Sequence, residues 1–407
     1  MNEPDLERYL RQVVKPFNIF GLTLRSHQQI LDQKDQDAAL ILKDYLAGAL
    51  FALYTILVMI CKMIFLPIAN VFDAVFMIES IMVTIRNVCM IFGFFAISRR
   101  LGALTRGIEI FDSKIPNISA RSNPWRLYQV FMLVAAIYVT FQVRESYLHN
   151  VHVNKVRYGM VAAIITDFPM SFYWNACPVV FLVLCLEFRS RFEDLQLILK
   201  DRLTSIVGRY RFMGDPKQSI ELATSKSIVR RYQSMGNPEQ SIEQVRLLHA
   251  ELTSLADTFG SCFGLYLTCY FLFTFLKQLI LFYRCLYVTK KFKLIRALIF
   301  LQIWVGAYLH SNFSEKLMTS SRKIMDELRN CPTTKLPTIH CQDQILLFMT
   351  QLQTSSLSIT ASELFTVDKQ LLTSMIMAVT TYIIVIIQLT PDINSLLRRF
   401  DLNSTIH

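Results

Sequence analysis

The sequence predicts an all-α membrane protein with seven transmembrane helices, a cytoplasmic N-terminus, and cytoplasmic helical extensions that form an anchor bundle. Three observations carry this expectation. Of 407 residues, 53% are hydrophobic and 18% charged, with 30 phenylalanines, a balance that suits a polytopic membrane protein and not a soluble one. Apolar runs of spanning length recur along the chain, a span needing about 20 residues. Lysine and arginine fall between these runs, so the formal charge of +11 reads as membrane topology and not as nucleic-acid affinity.

The elements follow in order. Residues 1–44 carry both signs of charge and no apolar stretch behind a basic start, so they read as a cytoplasmic segment and not as a signal peptide. The spans fall at 45–66, 74–97, 127–143, 160–186, 259–283, 295–311 and 371–389, the third and sixth needing their flanks to cross. Around the first connection the only basic residue is Lys62, near the end of span one, whereas Arg99, Arg100, Arg106, Lys114, Arg121 and Arg126 stand between spans two and three. Short loops set orientation, which places the N-terminus inside and the tail 390–407 outside. The basic connection between spans five and six (Arg284, Lys290, Lys291, Lys293, Arg296) argues the other way.

Several cytoplasmic connections carry helical periodicity. Phe188, Phe192, Leu195, Leu199 and Leu203 continue the fourth span, and Val245, Leu248, Leu252 and Leu255 lead into the fifth. Leu346, Leu347, Phe348, Leu352 and Leu357 mark an amphipathic segment within the cytoplasmic stretch 312–370. Residues 213–240, with two Gly-x-Pro turns and a polar middle, read as a flexible loop. The cysteines give no disulfide framework, and Cys331 and Cys341 around His340 lack a second pair at zinc spacing. Neither metal nor cofactor is expected. No His-rich or paired-carboxylate constellation stands at one membrane depth, which argues against an enzyme.

Ionisable and aromatic residues inside spans are candidates for ligand contact. Glu79 and Arg86 lie on one face of span two, about 10 Å apart along the axis. Asp167, Tyr173 and Trp174 flank Pro169 and Pro178 in span four, and Tyr138, Gln142, Gln302 and Trp304 offer aromatic and amide groups from spans three and six. Packing and interface-belt roles explain such aromatics equally well.

In the last span, Thr381 and Tyr382 precede five aliphatic residues, Val385 among them, and then Gln388 and Leu389. Thr381 and Gln388, seven residues apart, share a face, and an amide in hydrocarbon needs a partner. That partner is either a neighbouring helix or a water-filled path.

The lead-in Phe365, Asp368, Leu371 and Leu372, followed by this Thr-Tyr-aliphatic-Gln pattern, resembles the insect gustatory receptor family. The family closes its pattern with Phe where this chain has Leu389. The resemblance implies a ligand-gated, non-selective cation channel, a homo- or hetero-tetramer around a central axis. Helical extensions would form its anchor, and the last helix would line the pore with Thr381, Tyr382, Val385, Gln388 and Leu389. It further implies a chemosensory receptor at the plasma membrane of chemosensory neurons, in contact with membrane lipid and with a small-molecule tastant, bitter compounds first, sugars or pheromones as alternatives. A seven-span receptor coupled to a cytosolic transducer is the other class considered. The inverted orientation and the lack of an Asp-Arg-Tyr or Asn-Pro-x-x-Tyr motif speak against it.

Overall fold

A computed structural model describes residues 71–115, 157–213, 238–287, 293–331 and 338–404, with positions 49, 50, 52–54, 56, 57, 59 and 60 before them. The chain is helical almost throughout these residues: α1 (Val71–Ser113), α2 (Arg157–Met213), α3 (Pro238–Tyr287), α4 (Lys293–Arg329), α5 (Ile339–Thr354) and α6 (Lys369–Ser404). A two-stranded hairpin, β1 (Thr360–Ala361) and β2 (Phe365–Thr366), separates the last two helices. Most of span one, all of span three and residues 214–237 of the expected loop lie outside the described residues.

Helix length explains the architecture. With 43, 57, 50 and 37 residues, α1 to α4 are about 55 to 85 Å long, against a hydrocarbon core of about 30 Å. Each apolar run therefore continues into a projecting extension, as the periodicity after span four and before span five predicts. The excess lies at the C-terminal ends of α1, α2 and α4 and at the N-terminal end of α3. Alternating chain direction brings all four extensions to one side, where they pack together with α5.

The extensions bury the apolar stripes that the sequence shows. Phe188, Phe192, Leu195 and Leu199 of α2 are fully enclosed, as are Leu252 and Phe259 of α3 and Ile324 and Leu328 of α4. Around this core the helices are pinned by polar pairs. Arg191, with its side chain almost wholly buried, makes a two-pronged contact with Asp112 at the end of α1, at 2.9 and 2.7 Å. Its remaining nitrogen donates to the carboxylate and the carbonyl of Glu187. Burial works to lower the guanidinium pKa, and the bonds to Asp112 and Glu187 outweigh it, so the net shift is upward. Lys114 pairs with Glu251 at 2.6 Å, Gln196 with Glu327 at 2.9 Å, and Arg246 with Gln351 at 2.6 Å. These contacts tie α1 to α3, α2 to α4, and α3 to α5.

The segment between α4 and α6 differs in detail from the expected amphipathic run. α5 is capped by Thr338, whose hydroxyl accepts from the Cys341 amide at 3.2 Å. Its buried residues are Cys341, Ile345 and Phe348. Leu346 and Leu347, which the sequence reading assigned to the apolar face, point outward. The hairpin pairs Thr360 with Thr366 and Ala361 with Phe365. Its turn uses Ser362 and Glu363, both at positive φ (49° and 62°), where glycine or asparagine is usual. The last helix begins two residues earlier than the span read from sequence, and it continues beyond Leu389 through Pro391 to Ser404.

Candidate functional site

The motif that leads into the last span is a docking device. Phe365, in β2, sets its ring edge against Phe271 of α3, with centroids 6.1 Å apart. Asp368 caps α6: its carboxylate accepts from the Leu371 amide at 2.8 Å, as a side chain before a helix must to satisfy a free N–H. Glu315 of α4 adds a second carboxylate there, accepting from the Lys369 amide at 3.2 Å and from its ammonium at 3.3 Å. Two negative groups at a helix N-terminus also oppose its dipole favourably. Leu371 and Leu372 then pack on the core.

Beneath the hairpin, α3 is cut to fit. A Cβ at Gly264 would stand 2.9 Å from the Ser362 amide nitrogen, too close for any side chain. At Gly260 the approach is looser, 3.7 Å from the Ile359 side chain. Leu357, Ile359, Ala361 and Val367 are buried on this surface, and the Val367 amide bonds the Ile359 carbonyl at 2.9 Å. The start of α6 is thereby fixed to α3 and α4.

Further along, α6 is nearly bare. Among its described side chains the buried ones are Met375 and Val379, one turn apart on the face toward the rest of the protein. Met377, Thr381, Tyr382, Ile384, Val385, Ile387 and Gln388 are exposed. Thr381, Val385 and Gln388 share one outward stripe, by their spacing of four and three. The Thr381 hydroxyl donates its proton to the Met377 carbonyl at 3.0 Å and keeps only acceptor capacity for an outward partner. Tyr382 leans back to meet Phe275 of α3 edge-on, at 5.9 Å. The Leu389 side chain lies outside the described residues, although its backbone is helical.

The suggested ligand contacts are divided among elements. Glu79 is half-buried on α1, and Arg86 is buried there and donates to the Asn87 side chain at 3.2 and 3.0 Å. Gln302 and Trp304 are half-buried on α4, where Trp304 meets Phe300 edge-on at 6.3 Å. Asp167, Tyr173 and Trp174 belong to the helical backbone of α2, with side chains outside the described residues, and Tyr138 and Gln142 fall outside them altogether.

Sequence reasoning missed an enclosed aromatic centre joining α2, α3 and α4. His310 stacks on Tyr270 and Phe181, with ring centroids 4.3 and 5.3 Å away. Its Nδ1 lies 2.8 Å from the Gly306 carbonyl and its Nε2 lies 2.9 Å from the Tyr266 hydroxyl. A carbonyl can only accept, so Nδ1 carries the proton and, in the neutral ring, Nε2 accepts from Tyr266. Gly306 is required beside it, since a Cβ there would collide with the Tyr270 hydroxyl. The available signal was a histidine four residues after a glycine near the end of span six. Among the described residues no group of histidine, cysteine and carboxylate side chains is arranged to hold a metal.

Comparison with known proteins gives this arrangement a family. No curated protein matches the chain by sequence. The insect olfactory receptor OR5 from Machilis hrabei has a similar fold, with a TM-score of 0.62 over 94% of this chain and 98% of that one, at 14% identity. The same receptor in complex with eugenol matches with a TM-score of 0.61 over 95% and 100%, again at 14% identity. The family model of the 7tm chemosensory receptors matches residues 44–391. The chain is therefore a seven-span, all-α membrane protein that belongs to the 7tm chemosensory receptor family.

Proposed function

We propose that the protein is a gustatory receptor that works as a ligand-gated, non-selective cation channel, a tetramer whose pore is lined by α6. The observation that carries this reading is the outward stripe of α6. It is apolar enough to sit in a membrane yet ends in an exposed amide, Gln388. One such helix in lipid leaves that amide without a partner, which is costly. Four copies around an axis set four amides against one another and against ions, with Val385 and Ile384 beside them as an apolar closure that excludes water.

Residues 371–389 then form the pore helix, with Thr381, Tyr382, Val385, Gln388 and Leu389 along it. Segment 312–370 and the extensions of α1 to α3 form the cytoplasmic anchor, and the N-terminus faces the cytoplasm. The stimulus is a small molecule, the kind of ligand that OR5 holds in its complex with eugenol, and bitter tastants are the class proposed for this chain. Glu79, Arg86, Tyr138, Gln142, Asp167, Tyr173, Trp174, Gln302 and Trp304 are the proposed contacts.

Ligand-screened recording from cells expressing this chain, alone and with candidate partner receptors, tests the reading. A ligand-evoked cation current whose permeation changes in Gln388→Ala and Gln388→Glu is expected. Current that persists unchanged in both variants removes Gln388 from the pore. Absence of any current, with a response that depends on a cytosolic transducer, overturns the channel itself.

A further inference from the structure

Span five carries a polar residue on every turn of one face: Tyr266, Tyr270, Thr274 and Gln278. All four are buried. The face runs antiparallel to α4 in a fixed register. Tyr266 meets His310, the Tyr270 hydroxyl abuts Gly306, and the Gln278 amide nitrogen reaches the Phe300 carbonyl at 3.4 Å. Thr274 lies between the last two of these levels.

The lower two residues of the face are accounted for, but the upper two are not. Among the described residues, the Thr274 hydroxyl and the Gln278 amide oxygen are enclosed without a hydrogen-bond partner. For Thr274 this is a departure, because Thr258 and Thr268 on the same helix both donate to the carbonyl four residues back. The Thr274 side chain forgoes that bond and keeps its hydroxyl open. Buried polar groups in proteins are paired with protein or with something else.

The two groups stand one turn apart on one face, and their chemistry is complementary: the hydroxyl can donate, and the amide oxygen can only accept. A hydroxyl group between them accepts from Thr274 and donates to the Gln278 oxygen, and both groups are then satisfied. A charged group is disfavoured at this depth, where Leu281 and Ile299 are buried and the Phe300–Trp304 ring pair stands. We propose that Thr274 and Gln278 form a buried hydroxyl-binding site between α3 and α4, filled by the hydroxyl of a small neutral ligand or by a water in its place.

The test uses the full chain purified into nanodiscs and needs no current, so it is decided separately from the channel reading. Thermal unfolding is followed with benzyl alcohol and with toluene, a pair that differ by the hydroxyl-bearing carbon's oxygen. For a ligand site, benzyl alcohol raises Tm more than toluene in the wild type and in Thr274→Ser. The difference disappears in Thr274→Val and Gln278→Leu. For a water site, the two compounds act alike, each single variant melts below wild type, and the double variant melts no lower than the singles. If both single variants melt at or above wild type and neither compound is preferred, the two groups sit dry and the proposal is wrong.

Discussion

Two helices among the described residues are long and apolar enough to cross a membrane, and they are covered very differently. Half of the apolar stretch of α3 is buried within the chain, while only 11% of that of α6 is. α3 sends ring after ring into the core (Phe259, Phe263, Tyr266, Tyr270, Phe271) and bonds to α4 at several levels. Among its described side chains, α6 touches the protein through Lys369, Leu371, Leu372, Met375, Val379 and Tyr382, and leaves most of its other surface to whatever lies outside. The contrast separates a structural span, whose changes register as stability, from a span whose changes should register in the proposed channel and not in the fold of the chain.

Changes in the covered region have the largest expected effects. Arg191→Ala strips the half-buried carboxylate of Asp112 and the buried one of Glu187 of their shared partner and is expected to cost about 3–5 kcal/mol. Arg191→Lys keeps the charge but not the two-pronged geometry, and should fall between. Thermal unfolding of the purified protein and surface expression both read this loss. Wild-type stability in Arg191→Ala would mean that the extensions do not depend on that brace.

The glycines sharpen the comparison next. Gly264→Ala drives a methyl into the Ser362 backbone, an overpacking expected to cost about 1–3 kcal/mol. Gly93→Ala meets open space and should instead gain up to about 1 kcal/mol from helix propensity. Opposite signs in the two melting shifts are expected. Equal signs would deny that the hairpin is seated on α3.

His249 provides a pH signature for the covered bundle. It lies between Phe192 and Phe348, with Nδ1 3.5 Å from the Thr253 hydroxyl. Burial pushes its pKa down to about 4, partly offset by the Ser321 backbone. The unfolded chain takes up this proton near pH 6.5 and the folded one only near 4, so stability is full above 6.5 and declines as pH falls between those values. From pH 7 to pH 5 this one group should remove about 2 kcal/mol. His249→Gln should abolish that share of the decline in pH-dependent unfolding, and an unchanged pH profile would contradict it.

The smallest stability effect belongs to α6. Gln388 is exposed in the protomer, and Gln388→Leu should alter protomer stability by no more than about 0.5 kcal/mol. A larger loss in the dissociated chain would mean that Gln388 is held within its own protomer.

How much of this was legible follows the range of the interactions. Apolar runs and their helical continuations could be read directly, because burial repeats every three or four residues in α2 and α3. The motif around Asp368 was visible as a pattern, and the structure supplies its physical meaning as a helix cap. The hairpin was hidden because Ser362 and Glu363 occupy a turn whose usual residues are glycine and asparagine. In α5 the adjacent Leu346 and Leu347 misled, since five apolar residues in a row, Ile345 to Met349, do not say which ones face inward. The Arg191 brace spans 79 positions to Asp112, and periodicity carries no information about such a pairing. Tyr266, Tyr270, Thr274 and Gln278 stood in plain sight at a spacing of four, but only the register with α4 shows which are satisfied.

The central claim is that the bare stripe of α6 faces an ion path, and cysteine substitution along that helix tests it most directly. Met377→Cys, Thr381→Cys, Val385→Cys and Gln388→Cys are compared with Met375→Cys and Val379→Cys, using a charged thiol reagent during ligand-evoked current. The account predicts block at 377, 381, 385 and 388 and none at 375 and 379. Equal modification of both sets, or no effect on current at the four outward positions, would contradict it.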